Sequence, residues 1–168
     1  KRTRPDSFLA LFAYGNLTSL RSAIEQRGLA SEDYCLFSIS PAQMPEYLGA
    51  SDIGVVFRRE NPFTQGIASP IKFGEYLASG LPVVINPGIG DTTRIVDEYQ
   101  VGVVIDPKDA RQMREGISRL LDLITTDAGL VQRCHQAARR ELSLELAVER
   151  YISAYRQIMC LSVKRHRG

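Results

Sequence analysis

Short apolar runs that alternate with helix-spaced segments constrain this chain more than any other feature. The first run is Phe8 to Tyr14 (FLALFAY), which stops at Gly15-Asn16. Leu17 to Gln26 then shows helical spacing and stops before Gly28. Asp33 to Ser40 reads as a second strand, with Cys35, Phe37 and Ile39 on alternate positions. Pro41 to Ala50 reads as a short helix and Asp52 to Phe57 (DIGVVF) as a third strand. A loop from Arg58 to Ala68 leads to a helix that opens at Ser69-Pro70 and ends at Gly80. Leu81 to Asn86 (LPVVIN) and Gly102 to Asp106 (GVVID) are the fourth and fifth strands, with a helix from Asp91 to Tyr99 between them. Three helices close the chain. The last, about Leu144 to Val163, carries Val148, Ile152, Tyr155 and Met159 at helical spacing. Strands alternating with helices imply βαβ units and a parallel sheet. Near-continuous apolar strands are those covered on both faces. The expected fold class is α/β, a doubly wound parallel sheet, as one domain over residues 1–168.

Bulk properties remove several function classes. The net charge is only +2, and no basic stripe alternates with aromatics, so no nucleic-acid partner is expected. Basic residues gather at the ends, Lys1-Arg2-Thr3-Arg4 and Lys164-Arg165-His166-Arg167. These read as solvated termini, or as a weak contact with an anionic membrane surface. Cys35, Cys134 and Cys160 form neither a metal spacing nor a disulfide framework. They read as reduced thiols of a cytoplasmic protein, with Cys35 buried in a strand and a peripheral position at the inner membrane face left open. No run is long enough to span a membrane. Two histidines, neither at a strand end, do not support a His-based triad or a metal site. Because the chain starts at Lys1, it is expected to be a piece of a longer one.

Ligands of open α/β sheets bind beyond the carboxyl ends of the strands, so the loops there hold the candidates. Ser69-Pro70 is a strong helix start: Ser caps, and Pro suits the first helical position. Lys72 then stands in the first turn, facing the positive end of the helix dipole, an unfavourable placement by roughly 0.3–1 kcal/mol. An anion bound at that terminus reverses the sign. The helix is expected to turn Lys72, Glu75, Tyr76 and Ser79 outward and Ile71, Phe73, Leu77 and Ala78, with Gly74, toward the sheet. Glu75 can accept two hydrogen bonds from a vicinal diol such as a ribose. The competing reading is a surface Lys72–Glu75 ion pair. Gly88-Ile89-Gly90 is neither a dinucleotide fingerprint nor a P-loop. It reads as a plain turn or as a loop whose backbone approaches a ligand. Gly15, Gly90 and Arg58 are candidate phosphate contacts. Arg58 and Arg59 leave the third strand at the same edge, or stay in solvent.

Ser69-Pro70-Ile71-Lys72-Phe73-Gly74-Glu75-Tyr76-Leu77-Ala78-Ser79-Gly80-Leu81-Pro82-Val83-Val84 resembles the signature of the retaining glycosyltransferases of the GT-B fold, the "glycosyl transferases group 1" family. The similarity extends upstream through Met44 to Gly54. Downstream it includes Ile95-Val96, Val101 to Val104 and the pattern from Ala137-Ala138-Arg139 to Tyr155. The resemblance implies the C-terminal, donor-binding domain of a GT-B fold. Glu75 then matches the second glutamate of the family's paired motif, which holds the donor ribose. The first glutamate would stand at Ile67 and is missing, as in members with a Ser-Pro-x-Lys motif. Ser69, the Ile71 backbone and Lys72 would face the donor's phosphates or sugar. The family's usual Arg and Lys after the first strand are not evident; Asn16 and Ser19 stand about there.

The implied function is transfer of a sugar from a nucleotide diphosphate sugar to a glycan, lipid or small-molecule acceptor, with retention. No metal and no cofactor are expected, since no Asp-x-Asp occurs and the departing diphosphate is stabilised by helix dipole and cations. No catalytic residue is assigned. The acceptor domain is expected to lie N-terminal and to be absent here, so the isolated chain should bind and not turn over. The last helix is similar to the one that crosses to that domain, which predicts an orphaned apolar stripe and a possible homodimer through it. Two alternatives remain: half of a nucleotide-sugar epimerase, or a non-catalytic interaction domain.

Overall fold

The structure, a computed structural model, describes residues 7–13, 15–59 and 68–165, with side chains through Met159. The basic residues 1–4, Ile67 and residues 166–168 lie outside that description. Where the sequence suggests one domain, packing groups the residues into two compact units, Lys1–Tyr47 and Leu48–Gly168.

In the first unit, β1 (Leu9–Phe12) pairs in parallel with β2 (Tyr34–Phe37), Leu9 opposite Tyr34. Between them lies α1 (Leu17–Glu25), capped by Asn16, whose Oδ1 accepts from the Ser19 N–H at 3.1 Å. The rings of Phe12, Phe37 and Tyr47 cluster with centroids 5.2–5.5 Å apart. Tyr34 is buried, with its hydroxyl donating to Glu25. The expectation of a buried first strand is corrected: Phe8 and Leu9 are exposed, and β2 is the one ladder neighbour β1 has among the described residues. Cys35 is half-buried on β2 rather than buried. The segment from Pro41 is a 3-10 turn followed by α2 (Met44–Gly49).

The second unit holds the core. Strands β3 (Gly54–Val56), β4 (Val83–Ile85) and β5 (Gly102–Val104) pair in parallel in that order. Helices α3 (Ile71–Ala78) and α4 (Thr92–Tyr99) make the crossovers. The chain then runs through α5 (Ala110–Thr126), α6 (Leu130–Leu142) and α7 (Leu144–Arg165). Period-two geometry sends alternate side chains to opposite faces. Val83 and Ile85 pack with Phe73 and Leu77 of α3, Ile95 and Val96 of α4, and Cys134 and Ala137 of α6. Val84 and Val103 pack on the other side with Leu120, Met113 and Ile117 of α5. Helices therefore cover both faces of this sheet, as expected for the fold class. β4, the central strand, is fully buried, while Val55 on the edge strand β3 is 45% exposed, so two-sided coverage does not extend to β3. Each ladder is shorter than its apolar run because Ile53, Phe57, Leu81 and Asn86 lie beyond the paired residues.

Candidate functional site

β3 and β4 are adjacent and parallel, so their carboxyl ends lie side by side, and the loops leaving them are joined. The Arg58 N–H donates to Asn86 Oδ1 at 2.8 Å, and Asn86 Nδ2 donates to the Pro87 carbonyl at 3.1 Å. Asn86 is one of the few buried polar residues. Its signal in the sequence is a lone polar residue that ends the run LPVVIN. The bond fixes the Arg58 backbone at the ligand edge and leaves its side chain exposed.

Helix α3 begins at this edge with its N-cap at Pro70, whose ψ of 122° is extended, and no side chain caps it. This corrects the expected start: Pro70 is the cap rather than the first helical residue, and Ser69 lies before it, exposed. The first turn closes through the Phe73 N–H on the Pro70 carbonyl at 3.0 Å. Helix α4 begins beside it, again without a side-chain cap at Asp91. Two sets of free N–H groups and two positive dipole ends thus meet beyond two neighbouring strands, the arrangement that holds anions elsewhere in α/β folds. A small cavity of about 180 Å³ marks the place; Ser69, Phe73, Gly90 and Thr92 line it, with Asp91, Glu141 and Arg150 as its charged residues. Gly90 has a φ of +47°, and a Cβ on it would strike the Ala68 carbonyl oxygen. The glycine is needed because the β4–α4 loop lies directly on the backbone before α3. Arg150 comes from α7, and nothing in the sequence pointed to it.

The inward side of α3 is Phe73 and Leu77, 1% and 0% exposed, with Tyr76 packed at its flank. At about 100° per residue, Ile71 and Ala78 stand on the opposite side, where both are exposed. The expected faces are corrected at four residues: Ile71, Gly74 and Ala78 line the outer side and Tyr76 packs inward. A full Schellman closure ends α3: Gly80 N–H bonds the Leu77 carbonyl and Leu81 N–H the Tyr76 carbonyl, with Gly80 at φ +79°. Along the outer side runs a groove of about 670 Å³, lined by Ser69, Ile71, Gly74 and Glu75 of the α3 segment and by His135 and Arg139 of α6. The groove is the larger of the two spaces, the uncapped helix starts meet at the smaller one, and Ser69 lines both.

Lys72 and Glu75 form the ion pair anticipated as the competing reading, Nζ to Oε2 at 2.8 Å. Their side chains are 50% and 39% exposed, so the pair is worth at most about 1 kcal/mol. Releasing Lys72 from Glu75 costs no more than that. Ser69, Ile71, Lys72, Glu75, Arg58 and Gly90 therefore all lie in the second unit at or beside one sheet edge. Gly15, Asn16 and Ser19 lie in the first unit, where Asn16 and Ser19 serve as a helix cap. No cluster of metal-ligating side chains occurs among the described residues, and no helix there is long and apolar enough to cross a membrane.

Residues 5–141 match the family described as Glycosyl transferases group 1. The chain belongs to that family. Solved structures agree on the fold. Sucrose-phosphate synthase from Thermosynechococcus elongatus superposes with a TM-score of 0.67 at 14% identity, over 93% of this chain and 46% of that one. A glycosyltransferase from Rickettsia africae gives 0.70 at 15% identity, over 92% and 40%. WaaG, a glycosyltransferase involved in lipopolysaccharide biosynthesis, gives 0.59 at 15%, over 83% and 44%. The chain spans less than half the length of each. Comparison with curated proteins finds no match.

Proposed function

We propose that this chain is the donor-binding part of a glycosyltransferase that moves a sugar from a nucleotide diphosphate sugar to an acceptor, with retention and without a metal. One observation carries the reading: α3 and α4 start uncapped, side by side, with Ser69, Lys72 and Gly90 at their termini. Developing negative charge on a leaving diphosphate is what such a site stabilises, through fixed N–H dipoles and a nearby cation. Lys72 would leave Glu75 for the phosphates, freeing the Glu75 carboxylate for a ribose diol. The acceptor is held by a further domain N-terminal to this one. The open apolar face of α7 provides a surface for that domain or for a second copy.

Calorimetric titration of the chain with UDP, GDP and related nucleoside diphosphates tests this, each with and without a chelator. Binding that survives the chelator is expected. No binding by any of them at millimolar concentration sinks the donor-site reading and leaves the non-catalytic domain. Binding abolished by the chelator removes the metal-independent part alone.

A further inference from the structure

Asn86 stands where an apolar residue would be expected. It follows the fully buried Val83–Ile85 of the central strand and is itself only 6% exposed. A polar side chain is kept in such a place when it is hydrogen-bonded, and both bonds of this one go to loop backbone. The ladder between β3 and β4 ends at Val56 and Ile85. One residue on, Asn86 Oδ1 accepts from the Arg58 N–H at 2.8 Å, while its Nδ2 donates to the Pro87 carbonyl at 3.1 Å and so keeps the oxygen turned to Arg58. A few residues further along, Gly90 lies so close to the Ala68 carbonyl oxygen that a Cβ would collide with it.

The stretch between these two contacts has little freedom. Pro87 has a fixed φ, and Ile89 is 2% exposed. The Ile89 carbonyl accepts from the Thr92 amide at 3.0 Å and from the buried Thr92 hydroxyl at 2.6 Å. Residues 86–90 thus hold the chain where it leaves β3, at Arg58, and where it enters α3, at Ala68, while Thr92 ties the same residues to the first turn of α4. We propose that Asn86 and Gly90 are positioning residues: they form a frame that fixes the start of α3 relative to the start of α4, so that both helix ends meet one ligand. The ligand is that of the donor-site reading, on which this role rests; the frame itself is a property of the free chain.

Titration of the 168-residue chain with GDP and UDP, together with amide NMR spectra of the ligand-free chain, tests it. Asn86→Leu removes the acceptor while nearly keeping the shape, and Gly90→Ala forces two backbones apart. Each should weaken nucleotide binding by about fivefold or more. Because both hold one spacing, the double variant should be scarcely weaker than the weaker single. Ile117→Ala, packed on the other face of the sheet, lowers stability without touching the frame and should leave the affinity unchanged. In the free chain, Asn86→Leu should move the amide signals of Arg58 and residues 90–92, and Gly90→Ala those of residues 68–72. Should Gly90→Ala fail to fold, Asn86→Leu against Ile117→Ala decides alone. A parent that binds while both variants bind equally well overturns the proposal and leaves the donor-site reading standing. So does a loss shared by Ile117→Ala, which reports general destabilisation, as do losses that multiply in the double variant. Free-chain signals that stay in place remove the frame alone, whereas a parent that binds neither nucleotide removes the donor-site reading and the positioning role with it.

Discussion

Replacing Glu75 by Gln separates the two roles open to that side chain. In the structure its Oε2 accepts from Lys72 Nζ at 2.8 Å, on a pair that is half exposed on one side and 39% exposed on the other. An exposed pair three residues apart on a helix contributes only about 0.2–0.5 kcal/mol. For a domain of this size that shifts Tm by no more than about 2 °C. A carboxylate that holds a ribose diol is worth more, because hydrogen bonds to a charged group carry about 1–3 kcal/mol, or roughly five- to 150-fold in Kd. Glu75→Gln should thus weaken nucleotide binding by that factor while the melting curve barely moves. Calorimetry with the best-binding nucleoside diphosphate and a thermal melt on the same sample read both numbers. Unchanged affinity with a lower Tm would refute the reasoning and leave Glu75 as the ion-pair partner of Lys72.

Two further predictions follow from the packing. Phe73→Ala should cost about 3–5 kcal/mol, as large-to-small changes in cores do, whereas Ile71→Ser, two residues earlier but outward-facing, should stay within about 0.5 kcal/mol; denaturant unfolding of both variants checks the assignment of faces. The Cys134 thiol, buried between the sheet and α6, is pushed up to about 11 by desolvation. Its folded value lies above its unfolded one, near 9, so its contribution to stability is full below about pH 9 and is lost as pH rises toward 11. A melt series across that range, repeated on Cys134→Ala to isolate the thiol, should show a steeper loss in the parent than in the variant, the buried tyrosines contributing to both.

Much of the second unit was legible in the sequence because its signals are local. DIGVVF, LPVVIN and GVVID are apolar runs bounded by Gly, Pro and Asp, and all three carry strands. Gly80 announced the end of α3 because a left-handed closure needs it. Sequence and structure part where apolar type and helical angle disagree. Ile71 and Ala78 look like core residues by type, yet each lies well over 100° around the helix from Phe73, facing a groove. Pro often takes the first helical position, but an extended ψ at Pro70 makes it the cap. Asn86 and Arg150 are hard to read from sequence for different reasons. Asn86 acts through a bond to a backbone N–H 28 residues away, while Arg150 reaches the cavity from the other end of the sequence. Long-range partners of that kind leave no periodicity to read. The Lys72–Glu75 ion pair is legible because i,i+3 spacing alone places the two groups in reach.

The most direct measurement is a two-dimensional amide NMR titration of the isotopically labelled chain with UDP and GDP. The account predicts saturable shifts concentrated at Ser69 to Lys72 and at Gly90 to Thr92, where the two uncapped helices begin, and little change along α5. Shifts spread over another surface, or none as the nucleotide reaches millimolar concentration, would contradict it.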